Sequence, residues 1–210
     1  MSLLKFSTYY NRVYRCSKYS ETVNYVWIAE RIFLRALRGL TDHSMVSILG
    51  AIKAARENFT FTGKRIIYLD DRKKFNKYFN RCLLSFQSVF SNYSIVSAFK
   101  SYTYNNITGH VDLIITLDKT YNVMFSFYGQ YETTKILDFY VVNNYLYNMA
   151  NKSTNSLLAI SLPDRTLTRV SYSGQNYTIK DRRPSGIKQG QYCSLCNKDC
   201  KPRLTKMEFL

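Results

Sequence analysis

The chain has 210 residues and a mass of 24.7 kDa, with 46% hydrophobic and 21% charged residues. That is enough apolar material for a full core, so general disorder is excluded. Thirty Lys and Arg against fourteen Asp and Glu leave a formal charge of +16, which sets the chain apart from a near-neutral enzyme and calls for a polyanion or an acidic surface nearby.

No window approaches the roughly 20 apolar residues of a membrane span, and residues 1–6 carry no apolar stretch of secretory length. The expected setting is therefore intracellular, in the cytoplasm, with no membrane partner and with cysteines either reduced or bound to metal.

In chain order, the first part (1–92) reads as mainly helical. From Ser20 to Leu40, Val23, Val26, Trp27, Ile32, Phe33, Leu34 and Leu37 recur near helical spacing until Gly39. Asp42 can cap a second helix through Met45, Val46, Ile48, Leu49 and Ile52. A short strand at Arg65–Leu69 leads to Asp70-Asp71, which can cap a third helix with Phe75, Tyr78, Phe79, Leu83 and Leu84 on its apolar side.

The core that follows (93–173) changes period. Tyr93–Thr103, Ile107–Leu117 and Tyr121–Tyr128 are β-rich runs parted by Asn105-Asn106 and Asp118-Lys119. Helical spacing returns over Thr134–Met149, and Leu157–Leu162 and Thr166–Tyr172 read as two more strands around Pro163-Asp164. Residues 174–210 form a basic, cysteine-rich tail on the same single domain. The order predicts an α/β layer fold with a mixed sheet.

Cys193, Cys196 and Cys200 form C-x2-C-x3-C, a spacing that brings thiolates from one turn to a single metal centre and leaves a fourth position to fill. Cys82, beside Leu83 and Leu84 on a helix, reads as core packing. Cys16, in the polar Tyr14-Arg15-Cys16-Ser17-Lys18 stretch, is expected to complete a four-cysteine metal site that ties the two ends of the chain together. The spacing admits either an iron–sulfur cluster or Zn²⁺.

Ile107–Ile115 is a strand entered through Gly109 with one carboxylate, Asp112, among apolar neighbours. A buried carboxylate needs a partner, whether a backbone group or a cation. This Gly-x-x-Asp strand is followed by a turn, a strand ending in Gly129, and a helix carrying Tyr145 and Tyr147. Cys16 and the late cysteine triplet bracket the whole.

Together these features resemble the RecB-like branch of the PD-(D/E)XK nucleases. The resemblance is strongest to iron–sulfur members, such as CRISPR-associated exonucleases and the nuclease domains of recombination helicase–nucleases. It implies a restriction-endonuclease-like mixed sheet flanked by helices, with the four cysteines holding a [4Fe–4S] cluster. It places Asp112 as a ligand of Mg²⁺ or Mn²⁺, His43 as a further metal-ligating residue in an early helix, and Asn143 and Tyr147 where the family has Gln and Tyr.

The sequence departs from the family on the strand after Asp112. There Phe125 and Phe127 stand in place of an acid and a lysine that share the metal and position the attacking water. Glu132 and Lys135 are the nearest pair that could replace them. The expected outcome is a nuclease fold whose catalytic site has decayed, in a subunit or accessory factor of replication, recombination or transcription. The Asn-, Tyr- and Lys-rich composition suggests a virus or mobile element. An active metal-dependent DNA exonuclease and a basic protein-interaction subunit are the alternatives.

Three basic runs are expected to meet nucleic acid, most simply DNA, through its phosphates: Arg31, Arg35 and Arg38; Arg72, Lys73, Lys74, Lys77 and Arg81; and a tail that includes Lys180, Arg182 and Arg183. Taken singly, each reads equally as a solvated face.

Overall fold

The computed structural model describes residues 4–5, 24–59, 69–128, 137–172, 192–193 and 198–199. The elements are β1 (Leu4–Lys5), α1 (Asn24–Leu37), α2 (Met45–Glu57), α3 (Leu69–Phe90), β2 (Ser94–Tyr104), β3 (Ile107–Thr116), β4 (Thr120–Ser126), α4 (Leu137–Asn151), β5 (Ser156–Ser161), β6 (Thr166–Val170), β7 (Tyr192–Cys193) and β8 (Lys198–Asp199). No helix among the described residues is long and apolar enough to cross a membrane.

The helices form where the apolar period requires them. In α1, Ala29, Ile32, Phe33, Ala36 and Leu37 are buried, while Arg31 and Arg35, and Arg38 just past its end, are exposed. Gly39, at φ +81°, ends the run in a left-handed conformation that costs glycine little. In α3, Phe75, Phe79, Cys82, Phe86 and Phe90 line one buried stripe.

Three sequence expectations shift here. The cap of α2 is Ser44, whose hydroxyl accepts the Ser47 N–H at 3.3 Å. Asp42 instead buttresses that turn by accepting from Ser47 Oγ, Ser44 N and Ser44 Oγ, and these bonds hold its carboxyl below the usual range. Asp70 and Asp71 lie inside α3, which begins at Leu69, so neither precedes the helix as a cap. Leu84 faces solvent at 57% exposure, because it sits two positions from both Cys82 and Phe86 and falls off their stripe. Of the strand expected at 65–69, residues 65–68 lie outside the described residues and Leu69 is the first residue of α3.

The sheet is mixed, in the order β1-β3-β4-β5-β6, with β2 also paired to β3. β2, β3 and β4 form an antiparallel meander, β4 and β5 run parallel across the α4 crossover, and β6 returns antiparallel to β5. Asn105 and Asn106, at φ 44° and 63°, make a two-residue hairpin turn in which both central residues are left-handed.

Alternation along the strands builds two cores. Tyr121, Val123 and Phe125 of β4, Phe127 just past its end, and Leu158 and Ile160 of β5 pack on α1, α2 and α3. Met124, Leu157 and Ala159 face α4, joined by Val142, Tyr145 and Leu146. The result is helices on one face, the sheet, and α4 on the other.

The α4 face also contains a buried amide network. Asn122 donates to Asn144 Oδ1 at 2.8 Å, Asn155 donates to Asn122 Oδ1 at 2.9 Å, and Asn144 and Asn148 both donate to the Asn155 carbonyl. Each group has a partner, so burying these polar side chains fixes the start of β5 against α4 without an orphaned donor.

Candidate site around Asp112

Among the described residues, Asp112 sits where β3 has no strand neighbour on one side: β4 accompanies β3 as far as Leu113↔Val123, and β1 pairs with it at Ile107 and Thr108. The carboxylate bridges this split: Asp112 is 3% exposed, and its Oδ2 accepts the Phe125 N–H at 2.7 Å. Its Oδ1 lies 3.3 Å from His110 Nε2, whose side chain is 31% exposed. The Phe125 carbonyl in turn accepts the Tyr140 hydroxyl at 3.0 Å. Burial, with the Glu30 and Asp112 carboxylates nearby, pushes the Tyr140 phenol above its ordinary pKa, so it stays a donor.

On the other side of β3, the hairpin register sets Ala98 against Leu113 and Lys100 against Val111, which leaves Phe99 facing Asp112. Phe99 has φ +47°, a left-handed conformation costing a bulky residue about 1–2 kcal/mol. Its ring stacks on the His110 imidazole at 4.2 Å and 19°, and the Arg38 guanidinium lies 4.5 Å from the same ring. Strain, an aromatic stack and a buried carboxylate therefore meet at one point of the sheet.

The residues named by the resemblance are partly assembled here. Asn143 and Tyr147 share the buried face of α4. Asn143 donates to the His110 carbonyl at 2.8 Å and accepts the Tyr102 hydroxyl at 2.7 Å, and Tyr147 meets the Tyr102 ring edge-on at 6.0 Å. Gly109 is required by that ring: a Cβ there would fall 2.7 Å from Tyr102 Cε1.

Phe125 packs on Phe86 and Phe90, at 5.7 and 5.9 Å between ring centroids, and Phe127 packs on Phe33 at 5.1 Å. Both point into the helical core. The two positions that the resemblance aligns with an acid and a lysine are thus taken up by aromatic packing.

His43 is not with Asp112. It lies in the connection between α1 and α2, not within a helix, with Nε2 3.2 Å from the Leu40 carbonyl. It lines a cleft of about 490 Å³ with Phe90, Ser91, Tyr93, Ser94 and Ile95. Ser94 pairs with Thr116, which sets that cleft at the far end of β2 from Phe99. Among the described residues no three metal-ligating side chains come together.

Lys73, Lys74, Lys77 and Arg81 are exposed along α3, with Arg81 3.5 Å from Asp164; Arg72 belongs to α3, but its side chain is outside the described residues. Cys16, Cys196, Cys200, Glu132, Lys135, Lys180, Arg182 and Arg183 also lie outside the described residues. Cys193 ends β7, which pairs with β8 through Tyr192↔Asp199 and Cys193↔Lys198. Cys82, read as core packing, is fully buried, and burial pushes its thiol up to about 12.

Sequence reasoning missed His110, Phe99 and Tyr140 as neighbours of Asp112, and Glu30 as a neighbour of Tyr140. For His110 a signal existed, since residues two apart on a strand share a face. Comparison with known proteins adds nothing to this geometry: no family model, no curated protein and no solved structure matches the chain.

Proposed function

We propose that this chain is a nucleic-acid-binding protein, most simply a DNA-binding one, on a RecB-like, PD-(D/E)XK type of fold whose catalytic site no longer cuts. One observation carries this reading. The carboxylate that would hold a catalytic Mg²⁺ or Mn²⁺ is engaged by the Phe125 N–H and His110, and the two positions beside it are phenylalanines packed in the core. A single carboxylate holds Mg²⁺ weakly, and neither phenylalanine can bind a hard cation or orient water.

The charge of +16 and the exposed basic faces of α1 and α3 support phosphate contact without base reading. A role as subunit or accessory factor in replication, recombination or transcription follows from binding without turnover. In the metal centre, the β7–β8 pairing supports one role for the cysteine triplet, because it sets Cys193 beside the strand that Cys200 follows. With Cys16 as a fourth ligand, the set fits [4Fe–4S] or Zn²⁺, either of which would supply a staple between the chain ends and no chemistry at Asp112.

The test is a pair of assays on the whole protein. Labelled DNA should bind with an affinity that falls steeply as salt rises, and Mg²⁺ or Mn²⁺ should produce no cleavage. Cleavage abolished by Asp112→Ala would overturn the inactive reading, and no binding even at low salt would overturn the nucleic-acid reading. Iron and zinc content of anaerobically purified protein decides between cluster and zinc; neither metal would remove the site.

A further inference from the structure

We propose that the seam between α1 and β2 takes single-stranded nucleic acid, with an unpaired base on the Arg38 guanidinium that caps the planar stack and phosphates on the flanking Arg35 and Lys100. The inference rests on the nucleic-acid reading above and names the form of its ligand. α1 and β2 are in contact, and the exposed Arg38, directly after α1, has its guanidinium 4.5 Å from the ring of Phe99, which is next in the chain to the exposed Lys100; the exposed Arg35 lies one turn earlier on α1. No carboxylate pairs with any of these three among the described residues.

The feature that separates this seam from an ordinary basic face is the stack beneath it. His110, Phe99 and Arg38 present three planar groups in contact, 4.2 Å from imidazole to phenyl centroid and 4.5 Å from phenyl centroid to guanidinium. Phe99 keeps a left-handed backbone in mid-strand with its ring in this position, and Asp112 holds the imidazole from behind. The ring thus gives the guanidinium a seat by cation–π attraction rather than leaving it to swing on its stem.

A seated, exposed, planar cation is a surface on which an unpaired base stacks, and the flanking cations meet the phosphates on either side. Duplex DNA keeps its base faces covered and can use only the phosphate contacts. On α3 the exposed Lys73, Lys74 and Lys77 offer point charges, which serve single and double strands alike.

The experiment measures fluorescence anisotropy of the full chain with labelled oligothymidylate and oligouridylate of about 15 nucleotides, within the usual reach of one binding groove, and with a DNA duplex of equal length at the same salt. Both single strands should bind more tightly than the duplex. Arg38→Ala should weaken single-strand binding about 10-fold or more and duplex binding only about 2-fold. Arg38→Lys, which keeps the charge and loses the plane, should reproduce most of the single-strand loss.

Phe99→Leu should act in the same direction; because it could also unfold the sheet, its melting curve is recorded beside it, and the exposed Arg38 variants carry the test regardless. Tighter binding to duplex, or single-strand affinity unchanged in Arg38→Ala, would overturn the proposal. If Lys73→Ala and Lys77→Ala then weakened binding, the general nucleic-acid reading would stand without it. No binding to any probe would remove both.

Discussion

Asp112→Ala separates a structural carboxylate from a catalytic one. If Asp112 is a strut, its removal leaves the Phe125 N–H buried without an acceptor, because Phe125 is 5% exposed and its partner at 2.7 Å is gone. An orphaned buried donor costs about 1–3 kcal/mol. The charge itself contributes little on balance, since the cost of burying the carboxylate is offset by His110 at 3.3 Å and both disappear together. The void left by the carboxylate adds about 1 kcal/mol.

The expected loss is therefore about 2–4 kcal/mol. At about 2–4 °C per kcal/mol for a chain of this length, that lowers Tm by about 5–15 °C in thermal unfolding followed by circular dichroism. Asp112→Asn retains an oxygen that can accept the Phe125 N–H, so its loss should be less than half as large. In a working metal site the opposite holds, since removing a carboxylate kept for a cation stabilises the apoprotein. An unchanged or higher Tm in Asp112→Ala, or a wild-type Tm that rises with added Mg²⁺, would refute the strut.

Gly109→Ala should cost about 1–3 kcal/mol in a urea titration, because its Cβ meets the Tyr102 ring in a closely packed core; Tyr102→Ala, which empties that space, should make Gly109→Ala markedly less costly. Cys82 should resist alkylation in the folded protein at neutral pH and react after denaturation, read by mass mapping of its peptide. Its thiol is raised from 9.0 to about 12 by burial, so the unfolded chain releases that proton first. The associated stability is whole below about pH 9 and is lost as pH rises through about 12.

The layer order was legible because hydrophobic period changes with element type. Phe75, Phe79 and Phe86 mark a helix, and Tyr121 through Phe127 mark a strand whose odd positions face one core. The hairpin carried more information than its strands. Once Asn105-Asn106 is read as a two-residue turn, the register follows by counting back, and Tyr102 falls opposite Gly109 and Phe99 opposite Asp112.

Conformation was harder to read than pairing. Nothing in the sequence marks Phe99 for a positive φ, since a phenylalanine takes that backbone only when its surroundings impose it. His43 misled because a histidine near a helix start resembles a ligand until its bond to Leu40 is known. Glu30 was hidden because its nearness to Tyr140 depends on how α1 lies across the sheet, and a tertiary packing of that kind leaves no local pattern.

These observations combine into one account of charge at the centre of the sheet. A carboxylate held at 3% exposure requires compensation, which in a metal-dependent nuclease comes from a divalent cation and a lysine. Here the chain supplies it from its own groups: the Phe125 amide on one oxygen and His110 on the other, with His110 seated on Phe99 and Arg38 over the far group of the stack. Phe127 packs in the helical core, and the positive charge nearest this stack lies at the surface, on Arg38 directly after α1. A buried cation beside a carboxylate serves catalysis, whereas an exposed one on a rigid aromatic support serves binding. On the proposed reading, the carboxylate serves the sheet and the Arg38 stack serves the strand that binds, so both belong to a single account.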